Sequence, residues 1–177
     1  MPQSGAIIGV SDHGGWAIFV TVSRKGLFLD RRRVELVDDD LPKIPHHSEA
    51  QGLPLDEAVA LVERVRGSAE RNARLRLEEV AAQVAEPIAG IALRQCPDLP
   101  STIAERITNY HARNNADWVM YRQALAAAAE ARGWAVHWYK TKNLNDAHFA
   151  EMKGVLGSPW DKDHRVAMAA ATAALSA

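Results

Sequence analysis

A lone cysteine, Cys96, has no partner in the chain, so no intramolecular disulfide framework holds this fold together. The stretch from Met1 to Gly5 lacks the basic and apolar regions of a signal peptide, and no apolar run approaches a bilayer span. These absences exclude a disulfide-stapled secreted scaffold and a helical membrane protein; a cytoplasmic protein with no membrane partner is expected. Charge of one sign is missing too, because 21 basic side chains stand against 22 acidic ones, for a net charge of −1. Composition therefore carries no nucleic-acid footprint, and any basic binding surface has to be local. A phosphate-cradling glycine loop, a nucleophile elbow and a zinc signature are also absent.

What is present, 177 residues, suffices for one domain with a substantial core and is short for two, so residues 1–177 are expected to form a single domain. The first third reads as three antiparallel strands. The apolar, β-branched run AIIGV at residues 6–10 is followed by SDHGG, which has turn or bulge chemistry, and WAIFVTV resumes at Trp16. A second turn signal spans Ser23 to Gly26, after which LFLDRRRVELV alternates loosely. The segment from Asp38 to Leu53 mixes acids with Pro42, Pro45 and Gly52, which marks a loop leading to a helix. His46, His47 and Glu49 lie in it; adjacent histidines diverge in extended chain and no third follows at ligand spacing, so they are expected to be solvated rather than metal-bound.

From Pro54 to about Val84, apolar residues recur with the helical period at Leu55, Val59, Val62, Val65, Ala69, Ala73, Leu77 and Val80. Pro54 suits a first turn and Pro87 ends the pattern. PIAGIALRQCP, residues 87–97, reads as a buried strand, and Cys96 as a small buried residue. Residues 99–133 read as helix in two pieces, with Ser101 and Asn115 as caps and Gly133 as the stop. Within them Trp118 and Tyr121 stand three apart and suit core packing or a homodimer contact. WAVHWY, residues 134–139, is a strand, followed by a short helix over about 145–156 and an alanine-rich closing helix. Three strands, then helix, strand, helix, strand, helix imply a five-stranded mixed sheet flanked by helices, because strands separated by helices return parallel through right-handed crossovers.

Two stretches resemble something more definite. IIGVSD approximates the apolar-Gly-apolar-Asp first strand of the ribonuclease H-like superfamily, and of RuvC-type Holliday-junction resolvases in particular. DKDHRVAMAAA is similar to the opening of that family's last helix, where metal ligands precede small residues, and GWAVHWYKTKNLNDAHFAEMKGVLG looks like its strand, lysines and short helix. The resemblance implies a ribonuclease H-like α/β fold and a metal-dependent nuclease acting on structured nucleic acid, branched DNA or RNA. It implies Mg²⁺ or Mn²⁺ as cofactor, with Asp12, Asp161, Asp163 and His164 as catalytic candidates and Asp12, Asp161 and His164 as ligands. Arg94, Lys140 and Lys142 would meet the phosphate backbone at strand ends.

The chain also departs from that pattern. Ser11 stands where the family's first aspartate belongs and Asp12 comes one position late, so in a regular strand it faces the other way. A bulge at Asp12-His13-Gly14-Gly15 would restore its direction. The strand glutamate is replaced by Ala92 or Leu93, leaving Asp98 as a distant substitute. Two-metal hydrolysis needs carboxylates converging on ions roughly 4 Å apart, so these departures set a second reading beside the first: a catalytically inactive domain that binds nucleic acid or protein. Asp161 and Asp163 equally suit a helix cap and a first-turn charge, and Asp12 equally suits a turn before two glycines.

Overall fold

The computed structural model describes residues 4–177. Strands β1 (Ala6–Asp12), β2 (Trp16–Val22) and β3 (Phe28–Glu35) form the expected meander, closed by turns in which Gly15 and Gly26 adopt positive φ. A long loop leads to α1 (Leu55–Gln83), within one residue of the bounds set by Pro54 and Val84. Then follow β4 (Ile88–Arg94), α2 (Ile103–Thr108), α3 (Tyr110–Ala131) and β5 (Ala135–Tyr139). Two 3₁₀ turns precede α4 (Met152–Leu156) and α5 (Lys162–Leu175).

The strand order is β3-β2-β1-β4-β5, with β1 antiparallel to β2 and parallel to β4, and β4 parallel to β5. A mixed five-stranded sheet flanked by helices is therefore present, as the order of the elements implied. Ile8, Val10, Phe19 and Leu93 bury one face against Val62, Ala69 and Leu77 of α1 and Leu125 of α3. Ile7, Val20 and Ala92 bury the other face against Val166, Ala167, Ala170 and Ala171 of α5. The alanine run has a packing reason: a Cβ on Gly9 of β1 would collide with the Ala167 carbonyl and the Ala171 methyl, so helix and strand meet backbone to backbone.

Two boundaries differ from expectation. Side-chain caps come from Thr102 and Asn109 rather than Ser101 and Asn115. Asn109 takes extended backbone and accepts the Ala112 amide at 2.9 Å, which starts α3 early and leaves Asn115 inside it. The short helix expected over 145–156 is a 3₁₀ turn followed by the single turn of α4, ended by Gly157 at positive φ.

Candidate functional site

Direction along β1 decides the site. The pairing of β1 with β2 runs unbroken from Ile7 opposite Val22 to Asp12 opposite Ala17, so the bulge that would turn Asp12 is not formed. Side chains alternate strictly along the strand. Ser11 faces α5, and Asp12 faces α3, where Arg122 Nε donates to its Oδ2 at 2.8 Å. Both side chains are nearly enclosed, 2% exposed for Asp12 and 7% for Arg122. Burial pushes the Asp12 carboxyl above its ordinary value, and the charge and hydrogen bond of Arg122 pull against that rise.

On the α5 side the other candidates form two further sets. Asp163 Oδ1 accepts from Ser11 Oγ at 2.7 Å and lies 2.8 Å from His13 Nε2. The His13 ring stacks on Trp16 at 4.0 Å, and the Arg33 guanidinium covers Trp16 at 3.9 Å. Asp161 caps α5: its Oδ1 accepts the amides of Asp163 at 2.9 Å and His164 at 3.4 Å. His164 Nδ1 turns back to the Asp161 amide at 3.2 Å and lies 2.9 Å from its carboxylate, completing a capping box. Burial opposes ionisation of Asp161, but the hydrogen bonds of the His164 side chain and of the His164 and Asp163 amides outweigh it and hold the carboxyl below its usual range.

Asp12 therefore does not join Asp161 and His164, and the expected convergence on a metal is not what the chain builds. Asp12 is turned to the opposite face and paired with a guanidinium, Asp163 is engaged by Ser11 and His13, and His164 serves the cap. Ala92 and Leu93 are buried and apolar where a strand carboxylate would stand. Among the described residues no group of three or more His, Cys, Asp or Glu side chains could hold a metal. The donors present do not fit a two-metal centre for Mg²⁺ or Mn²⁺.

The cationic candidates do come together. Arg94 ends β4, Lys140 follows β5 and Lys142 lies in the next 3₁₀ turn, and all three line one cleft of about 780 Å³. It opens at the carboxyl ends of two parallel strands, where α/β sheets commonly take ligands. Helix α3 closes it with Asn114, Asn115, Trp118 and Arg122. Asp98 and Cys96 also line it; Asp98 is exposed and Cys96 is half-buried rather than enclosed. Tyr121 is fully buried, its hydroxyl donating to the Lys43 carbonyl, so of the aromatic pair only Trp118 reaches the cleft.

Sequence reasoning missed the meeting of Ser11 and His13 with Asp163, and two further partnerships. Nothing near Asp12 points to Arg122, 110 residues away. His46 is not solvated; it is buried against Asp117, while His47 and Glu49 are exposed as expected.

No family model matches the chain, and no curated protein matches it in sequence. In structure it is similar to Thermus thermophilus RuvC in complex with a Holliday junction substrate, at 16% identity over 97% of this chain and 93% of that one, with a TM-score of 0.49. A second Thermus thermophilus RuvC structure is similar at 15% identity over 96% of this chain and 93% of that one, with a TM-score of 0.48.

Proposed function

We propose that residues 1–177 act as one ribonuclease H-like domain that binds structured nucleic acid, branched DNA or RNA, without hydrolysing it. The observation that carries this reading is the buried Asp12–Arg122 pair beside a cleft lined by Arg94, Lys140 and Lys142. A guanidinium already neutralises the carboxylate that would otherwise attract a divalent cation, while three exposed cations remain to meet phosphates. Phosphate contacts position the strand, and Trp118 offers a ring for a base, a stacking worth about 1–3 kcal/mol.

Fluorescence anisotropy with a four-way DNA junction, a stem-loop RNA and a matched duplex tests this reading, in EDTA and in Mn²⁺. Binding should be the same in both buffers with no cleavage in either, and R94A/K140A/K142A should weaken it roughly tenfold or more. Mn²⁺-dependent cleavage by the parent would restore the hydrolytic reading instead. Unchanged affinity in the triple variant would remove the cleft from the account.

A further inference from the structure

The loop between β3 and α1 holds a buried polar pair that the cleft does not use. His46 is 1% exposed, and its Nδ1 lies 2.8 Å from Oδ1 of Asp117, itself fully buried in α3. The same carboxylate accepts the backbone amides of His46 and His47, each at 3.0 Å. An ionised carboxylate only accepts, so Nδ1 carries the hydrogen that faces it, and in the neutral ring Nε2 is then a bare lone pair. Nε2 is buried and has no hydrogen-bond partner among the described residues. A buried acceptor left unmet is costly, and native structures rarely keep one.

His46 forms part of the wall of a separate cavity of about 290 Å³ between α1, α2 and α3. The remaining polar wall consists of Arg66, Glu70, Arg106 and Gln123, and Val62 and Met120 are among its apolar members. Glu70 lies 3.9 Å from Arg66, a loose pairing that leaves the guanidinium free to turn. Arg106 holds the Pro100 carbonyl through Nε at 2.7 Å, which directs its terminal nitrogens elsewhere. Two guanidiniums and one lone pair that needs a donor complement an oxyanion that still carries a hydrogen. Inorganic phosphate keeps such a hydrogen throughout the neutral range, and a monoester, whose second pKa is about 6, keeps it in the smaller, protonated part of its population; sulfate, of the same shape, has none. A water molecule would satisfy Nε2 but offers the guanidiniums no charge.

We propose that this cavity binds a protonated phosphate group, free or as a small monoester, whose P–OH donates to His46 Nε2 while its ionised oxygens accept from Arg66 and Arg106. The probe is inorganic phosphate, with sulfate as the matched oxyanion, on full-length R94A/K140A/K142A so that the cleft's cations do not contribute. In ¹⁵N NMR of the histidine rings, phosphate should shift His46 Nε2 saturably, and sulfate at equal ionic strength should bind roughly tenfold more weakly, the effect of one buried hydrogen bond. Arg66→Gln, at an exposed position on α1, should weaken phosphate several-fold while the parent melting temperature is kept. Ribose 5-phosphate then separates the two sources: tighter binding than inorganic phosphate assigns a monoester, weaker binding the free ion. A sulfate response equal to phosphate would reduce the site to unspecific attraction by arginine. A His46 resonance indifferent to phosphate would leave the cavity to water, and either result overturns the proposal.

Discussion

Arg122 does for Asp12 what a divalent cation does for a catalytic carboxylate, and the difference lies in a single strand position. Ser11 and Asp12 point to opposite faces, so moving the acid by one residue takes it away from α5 and into the layer of α3. The resulting ion pair is nearly enclosed, and losing one member of such a pair leaves an uncompensated buried charge. Asp12→Ala should therefore lower stability by about 3–5 kcal/mol in urea unfolding. The double variant D12L/R122M removes both charges with similar volume, and its stability should equal or exceed the parent's. A double variant as unstable as Asp12→Ala would mean that the pair has a role beyond neutralising itself.

At the scale of the element, the start of α5 is a cap. Asp161 satisfies two amides of the first turn, and the His164 ring turns back over the Asp161 amide and carboxylate. Asp161→Ala should cost about 0.5–2 kcal/mol, whereas Asp161→Asn, which caps nearly as well, should cost a few tenths. The carboxyl's folded value is depressed below its unfolded value near ~3.9. Its charged contribution is therefore fully present above the unfolded value and lost as pH falls through the folded one. The side chain is 66% exposed, so solvent screening keeps that contribution small. Denaturation of parent and Asp161→Asn should show a constant difference from about pH 5 upward that closes at acid pH. Mn²⁺ should leave both melting temperatures unchanged, since a ligand raises them only by binding the native state. A Mn²⁺-dependent rise in the parent alone would place a metal at the helix start.

Across the whole molecule, charge is balanced and the binding face is local. The formal net charge is −1, yet Arg94, Lys140 and Lys142 are gathered at one edge of the sheet. Among the described residues no helix is long and apolar enough to cross a membrane. With three exposed cations to displace counterions, the slope of log affinity against log salt should lie between about −2 and −3, taking 0.7 to 0.9 per phosphate. Anisotropy titrations from about 50 to 200 mM salt measure it. A slope near zero would show that phosphates are not what the cleft engages, and one beyond about −6 would need cations outside it.

The amino-acid sequence by itself determined the order and kind of the elements, because these depend on neighbours a few residues apart. The apolar period between Pro54 and Val84 places α1, the β-branched run at residues 6–10 places β1, and Asp161 ahead of an alanine tract places the capped start of α5. It also showed that Asp12 is out of phase with the family pattern, since strand alternation is local. Only the tertiary structure decided what waits on each face. Arg122 reaches Asp12 across 110 residues and Asp117 reaches His46 across 71, while Ser11, His13 and Asp163 meet where β1 packs on α5. A side chain's direction follows from its own strand, but its partner follows from which layer covers that strand, and this is settled only when the sheet and helices pack.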